Sequence, residues 1–222
     1  MKVLQVIDRL NVGGAERVCL DISNLLFKKN INVAVLTILE KGELLSFLDS
    51  NIKIYCLQRK SKFNIKTMKK MILILNNYDI AHIHMRHTYR YVKFASLFYK
   101  LSCKLILHDH FGSIALDKSI PLFMNNFLKP KFYIGVSNEL VKWAKEVLKV
   151  SEIYLLENII VKKKYSTNQK KDTIVHVSNI APIKNQLFSI KLIEKTSYNL
   201  VIYGKIKDVN YYNHLNLRKL LF

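Results

Sequence analysis

Acidic residues are scarce in this 222-residue sequence: sixteen Asp and Glu stand against thirty-six Lys and Arg, a formal net charge of +20. Six glycines and three prolines are too few for a long low-complexity linker. Three scattered cysteines, Cys19, Cys56 and Cys103, form no CxxC pair. They exclude a disulfide framework and a cysteine zinc site, and read as reduced core thiols of a cytoplasmic protein. Long apolar runs are missing too. The longest, residues 71–75 and 33–39 with one Thr, fall far short of the ~20 residues that span a bilayer. No signal peptide is visible, since the strand-like run after Lys2 stops at Asp8. What is present is a hydrophobic half of the chain with 23% charged residues, which affords a packed core and excludes global disorder.

The excess of cations predicts attraction to something anionic. Only six of the thirty-six are Arg, whereas sequence-specific nucleic-acid readers lean on Arg forks. The Tyr and Phe residues fall within core stripes and form no visible stacking platform. The expected partner is therefore an anionic membrane surface or a phosphorylated ligand, and not a nucleic acid. The mixture of Lys, Ile and Asn is also what an AT-rich coding sequence would produce without selection for binding.

Short β-rich runs alternate with helical patterns, which predicts βαβ units and a parallel sheet. Strands are expected over residues 3–7, 33–39, 53–57, 80–84, 104–108, 133–136 and 153–156. Helices are expected over 15–29, 65–77, 89–101, 121–128 and 138–149, the last capped by Ser137 with Leu140, Trp143 and Val147 on one stripe. Residues 162–172 are polar, basic and aperiodic, and read as a linker. A second series follows: strand 173–177, helix 185–195, strand 200–203 and helix 210–221. At roughly 50 residues it is too short to close a doubly wound domain of about 100. The expected organisation is a domain over 1–161, a linker over 162–172 and an incomplete domain over 173–222.

Four features could carry chemistry. Gly13 and Gly14 stand between a strand and a helix, where paired glycines admit close backbone approach and a helix start favours an anion. The spacing fits neither GxGxxG nor a P-loop, and a plain turn needing glycine is the simpler alternative. His82, His84, His108 and His110 cluster at the ends of two strands, with His87 just after the first pair. Residues i and i+2 share a face, and ligands bind beyond the carboxyl ends of parallel strands. Hydrogen bonding to hydroxyls or phosphates, a metal site, and satisfied structural histidines all remain open. Lys184, in the segment 178–185, stands at a strand–helix junction and could neutralise a phosphate. The stretch 52–78 carries seven cations and no acid until Asp79. Its helix, with Ile65, Met68, Ile72 and Leu75 on one side, is either a solvated face on the sheet or a contact with anionic lipid.

Taken in order along the chain, these features resemble the family 4 glycosyltransferases of the GT-B fold. Gly13-Gly14-Ala15-Glu16-Arg17 is similar to that family's GGAER loop. Asp79 to His84 resembles its D-I-V-H-x-H strand, and Leu105 to His110 its I-I-x-H-x-H strand. Residues 134–139 resemble x-x-V-S-x-x, and residues 156–160 resemble I-x-N-G-I. Residues 175–185 are similar to the V-G-R-L-x-P-x-K-G opening of the donor domain, and residues 199–215 to the segment after it.

The resemblance implies two Rossmann-like α/β domains: an N-terminal acceptor domain with a parallel sheet and helices on both faces, then a donor domain that binds a nucleotide-diphosphate sugar. It implies retaining transfer with no essential metal or other cofactor, and an acceptor that is a glycan or is lipid-linked, in bacterial surface polysaccharide synthesis. It also implies a cytoplasmic protein, peripheral on the inner face of the membrane. Carried over by position, His110 lines the acceptor side and Lys184 stabilises charge on the departing diphosphate. Gly13, Gly14, Glu16, His84, His108, Asp109, Asn158 and Asn179 would bind donor or acceptor. Asn179 stands where the family carries Arg, Ser178 and Ile159 where it carries Gly, and Glu194 is the only Glu after the linker, so the family's E-x7-E pair is absent. The chain alone is therefore expected to be inactive: a fragment of a longer glycosyltransferase, one half of a split enzyme that needs a separate donor-domain chain, or a non-catalytic truncated remnant or acceptor- or membrane-binding module.

Overall fold

The computed structural model describes residues 1–160 and 172–219, with side chains in the last helix to residue 215. The chain divides into two compact units, Met1–Lys162 and Lys163–Phe222. The expected linker, apart from Asp172, and the expected helix end at 220–221 lie outside the described residues.

The first unit runs β1 (Lys2–Ile7), α1 (Gly14–Lys28), β2 (Asn32–Thr37), a 3-10 turn (Glu43–Phe47), β3 (Lys53–Cys56), α2 (Ile65–Leu75), β4 (Ile80–His84), α3 (Arg86–Ala95), β5 (Lys104–Asp109), β6 (Phe132–Gly135), α4 (Asn138–Glu146) and β7 (Glu152–Leu155). The seven strands form one parallel sheet in the order β3-β2-β1-β4-β5-β6-β7. The central strands are almost wholly buried because helices cover both faces. Leu4, Val6, Ala81, Ile83, Leu107 and Tyr133 form the core with Met71 and Leu75 of α2, Val92 of α3 and Trp143 of α4. Ile7, Val33 and Val35 pack with Cys19 of α1. Each fully buried Leu or Ile stabilises the fold by roughly 1.5–3 kcal/mol.

Strand order reverses between β1 and β4, so the chain winds outward in both directions from that pair. This is the switch point at which an open α/β sheet leaves a crevice beyond its carboxyl ends.

Local chemistry explains the element ends. The Ser137 hydroxyl accepts from Leu140 N–H and caps α4. Leu140 and Trp143 of the expected stripe are buried, and Val147, just past the helix, is exposed. No α-helix forms over 121–128. Met124 and Leu128 are buried at helical spacing, which is what the periodicity registered, but the segment is a run of turns. Phe123 has φ 62°, a left-handed conformation that breaks an α-helix. Helix α3 starts earlier than its apolar pattern, at Arg86, and ends at Ala95, where the Ser96 hydroxyl donates to Lys93 O. In α2, Met68, Ile72 and Leu75 pack inward while Ile65 is exposed. The apolar side of this helix therefore belongs mostly to the core. Among the described residues, no helix is long and apolar enough to cross a membrane.

The second unit comprises β8 (Thr173–Val177), a 3-10 turn (Pro182–Lys184), α5 (Gln186–Ile193), β9 (Asn199–Tyr203) and α6 (Val209–Lys219). β8 and β9 pair in parallel. Gly204 lies so close to the Ser178 carbonyl that a Cβ would collide with it.

Candidate active site at the switch point

Parallel register pairs Gln5 of β1 with His82 of β4, and His84 with His108 of β5. Side-chain alternation then puts Gln5, His82, His84, His108 and His110 on one face. The imidazoles form a compact stack. Ring centroids are 4.7 Å apart for His82 and His84, 5.0 Å for His82 and His108, and 4.2 Å for His108 and His110. His84 Nε2 lies 2.8 Å from Gln5 Oε1, and His84 Nδ1 lies 3.0 Å from His110 Nε2.

Burial, reinforced for His82, His84 and His108 by neighbouring imidazoles, holds all four rings neutral. His82 and His110 fall to about 4, His108 to about 2, and His84 well below its ordinary value. Neutral rings hold one proton each, so the orientation of the Gln5 amide sets the direction of the chain of hydrogen bonds. With Gln5 Oε1 accepting, His84 carries its proton on Nε2 and accepts at Nδ1 from His110 Nε2–H. His110 Nδ1 is left as a lone pair that can accept a hydroxyl proton.

Nitrogens of His82, His84 and His108 lie within 4.8 Å of one another, close enough to raise a shared metal ion. Both nitrogens of His84 are already engaged, and the His82 and His108 rings are parallel within 9°. Ligand lone pairs lie in the ring plane, so parallel stacked rings do not converge on one ion. Of the four rings, His84 and His110 are hydrogen-bonded, whereas His82 Nε2 and both His108 nitrogens are buried without a protein hydrogen-bond partner of good geometry.

Asp109 does not join it. Lying between His108 and His110 in a strand, it faces the other side of the sheet. Its carboxylate there accepts from Arg86 Nε at 2.7 Å, Tyr133 OH at 2.6 Å and Phe111 N–H at 3.1 Å. The Arg86 guanidinium lies over the rings of Trp143 at 4.2 Å and Phe111 at 4.4 Å. This buried network ties β5, β6, α3 and α4 together, and no spacing in the sequence pointed to it.

Gly13 and Gly14 open α1, and no side chain caps that helix. A Cβ on Gly14 would meet nothing within 4 Å, so internal packing does not require this glycine. The Glu16 carboxyl folds back against Gly13, beside the helix start it complements. Asn158, after β7, is exposed. In the second unit, Lys184 and Asn179 are both exposed. Buried Gln186 donates to Ser178 Oγ at 2.9 Å and Asn179 O at 2.8 Å, which holds the loop before Lys184.

Beyond the ends of β1 and β4 lies a cavity of about 590 Å³. It is lined by Asp8, Arg59, Lys62, His87, Arg90 and Tyr91, with Phe63, Phe94 and Phe123 among its apolar walls. Asp8 accepts from Thr88 Oγ1 at 2.9 Å and pairs with His87 Nε2 at 3.0 Å. Burial alone would raise the Asp8 carboxyl. The His87 and Thr88 hydrogen bonds and the charges of His87 and Arg59 outweigh it, so the group sits below its ordinary value. Asp8, Arg90 and Tyr91 escaped the sequence reading, and Arg59 and Lys62 entered it only as members of a basic run. These residues come from different elements with no shared spacing. Their one sequence signal is proximity to strand ends.

No protein-family model matches the chain, and no curated protein matches it in sequence. Solved structures do match in fold. HepE of Anabaena in complex with UDP and glucose superposes with a TM-score of 0.76 at 14% identity, over 99% of this chain and 66% of that one. An α-glucosyltransferase in complex with UDP and a mismatched DNA gives 0.68 at 13% identity, over 98% and 59%. The lipopolysaccharide outer core galactosyltransferase WaaB gives 0.62 at 14% identity, over 99% and 66%. The chain thus spans 59–66% of the length of these structures. It has the α/β Rossmann-like fold of the GT-B type, with a seven-stranded parallel sheet flanked by helices.

Proposed function

We propose that the chain acts in sugar transfer from a nucleotide-diphosphate sugar to a glycan or lipid-linked acceptor, in the manner of the retaining family 4 enzymes of bacterial surface polysaccharide synthesis. The observation that carries this reading is the Gln5–His84–His110 hydrogen-bond chain. It ends in a neutral acceptor nitrogen at the carboxyl edge of the sheet, the edge on which α1 also opens with an uncapped Gly13-Gly14 start. The likeness to proteins solved with UDP supports a nucleotide donor.

On this reading residues 1–161 form the acceptor side and residues 173–222 the donor side. His110 accepts the hydrogen bond of an acceptor hydroxyl, and Lys184 offsets charge growing on the leaving diphosphate without metal or cofactor. Further donor-side structure is needed to complete that side, a reading supported by the exposed Val175 and Val177 on β8 and Phe188 and Leu192 on α5. The protein works at the inner face of the cytoplasmic membrane, held there by its +20 charge. A binding-only role is favoured by one observation: Asn179, where the resemblance expects Arg, leaves Lys184 as the lone cation of that loop.

Isothermal titration with UDP and GDP, followed by UDP release from UDP-sugars with a membrane lipid extract, tests the proposal. Lys184→Ala is expected to weaken nucleotide binding about tenfold, as removal of a charged hydrogen bond does. His110→Ala is expected to leave nucleotide binding intact and, once the donor side is completed, to lower release at least a hundredfold. Asp109→Asn instead lowers stability by about 3 kcal/mol, because it strips Arg86 of its buried partner. No nucleotide binding, alone or with a donor-side chain added, overturns the proposal. Full UDP affinity in a monodisperse chain overturns the need for that added chain.

A further inference from the structure

The cavity at the switch point has a composition that nucleotide-sugar chemistry does not require. Three permanent cations, Arg59, Lys62 and Arg90, face one carboxylate, Asp8, whose charge His87 and Thr88 already engage. The site therefore keeps an excess of positive charge. The Arg59 guanidinium stacks on the Tyr91 ring at 4.1 Å, which fixes the direction of its N–H fork. Two polar groups on the wall lack a protein hydrogen-bond partner of good geometry. They are Arg90 Nε and the hydroxyl of Tyr91, a residue only 8% exposed.

Beside this cavity runs a second groove of about 290 Å³ with the opposite character. Phe63, Ile65, Met68, Phe94, Phe98 and Tyr99 line it, with no charged side chain. Phe63 and Phe94 line both, so the charged cavity and the apolar groove adjoin. Phe63, Ile65 and Phe98 are 75%, 68% and 64% exposed. Three large apolar side chains open to solvent at one groove mark a binding surface.

We propose that the two form one site for a lipid phosphate, with its anionic head at Arg59, Lys62 and Arg90 and its hydrocarbon chain along Phe63, Phe94 and Phe98. Charge complementarity selects this occupant. A free phosphate would leave the aromatic groove unused, and a neutral lipid would leave the cations unpaired. On the transfer reading above, from which the identification as acceptor follows, this lipid phosphate is the anchor of a lipid-linked acceptor, whose sugar hydroxyl gives its proton to His110 and takes the transferred sugar as the nucleotide diphosphate leaves. It enters from the membrane at the groove and presents its head at the sheet's carboxyl edge.

Titration of the chain with dodecyl phosphate below its micelle concentration tests the site, with inorganic phosphate and dodecyl maltoside as controls and UDP titrated in parallel. Saturable one-to-one binding of dodecyl phosphate, at least tenfold tighter than either control, is expected. Lys62→Ala and Phe63→Ala are expected to weaken it at least fivefold each. Both residues are exposed, so neither change endangers folding. Binding equal to that of the maltoside reduces the site to an apolar groove, and binding equal to that of phosphate reduces it to an anion patch. Either result, or indifference to both substitutions, overturns the proposal. UDP binding with no preference for dodecyl phosphate sinks this inference alone; preference for dodecyl phosphate with no UDP binding, even when a donor-side chain is added, sinks the transfer reading and the identification as acceptor but not the site.

Discussion

Met85 joins His84 to Arg86 with φ 77° and ψ 141°, a conformation that L side chains rarely adopt. Such a residue costs of order 1–3 kcal/mol and persists only when its surroundings over-determine it. Here Met85 N–H donates to His108 O at 3.0 Å, and Tyr89 N–H donates to Met85 O at 3.1 Å. The strain turns the chain from β4 into α3 without a loop, immediately after the histidine that bonds Gln5. Met85→Gly removes the Cβ that makes the conformation costly. It is expected to raise stability by about 1 kcal/mol after its entropic penalty, whereas Met85→Ala keeps the Cβ and gains nothing. Urea unfolding of both variants checks this, and a glycine variant weaker than the alanine one removes the strain argument. At this scale the histidines were legible, because alternation along a strand is a local property. Asp109 was harder. The run His108-Asp109-His110 reads as one motif, yet period two sends its middle residue to Arg86 and Tyr133 on the other face.

Among elements, the face of β4 and β5 carries the most distinctive chemistry. Its four imidazoles, three buried and that of His110 partly so, have pKa values depressed below the ordinary 6.5, to about 4 for His82 and His110 and about 2 for His108. Below pH 6.5 the unfolded chain binds protons that the folded chain refuses, so stability is full above that value and falls as pH drops. Loss continues until the folded rings themselves titrate, near pH 4 for two of them. Each participating ring contributes a slope approaching about 1.4 kcal/mol per pH unit, so several together are steep. Urea midpoints at pH 7, 6 and 5 are expected to fall progressively, most sharply between 6 and 5. A flat midpoint over that range contradicts neutral buried imidazoles. Element type was largely readable from the sequence, because hydrophobic period and caps such as Ser137 are local. The failure at 121–128 has a physical cause. Met124 and Leu128 anchor to the core at helical spacing, and the chain between them is free to adopt turns.

Across the whole molecule, the two units differ in how much they bury. The first sets a seven-stranded sheet between helical layers, whereas β8 of the second leaves Ile174, Val175 and Val177 exposed. A two-stranded sheet with little apolar cover has little to set against its conformational entropy. Amide hydrogen exchange is expected to be far slower in β1, β4 and β5 than in β8 and β9. Equal protection in the two sheets contradicts this ranking.

The sequence by itself determined the alternation of strands and helices, the cationic balance, the sharing of a face by histidine pairs two residues apart, and the glycines that open α1. These follow from local backbone preference and composition, which need no distant partner. The tertiary structure decided which strands are neighbours. The order β3-β2-β1-β4-β5-β6-β7 brings Gln5 to His84 and Asp8 to His87, and sets Arg59 over Tyr91. These pairs are far apart in sequence, and each contact depends on burial and hydrogen-bond register summed over the whole sheet. Such non-local terms leave no periodic trace in the residues that finally meet.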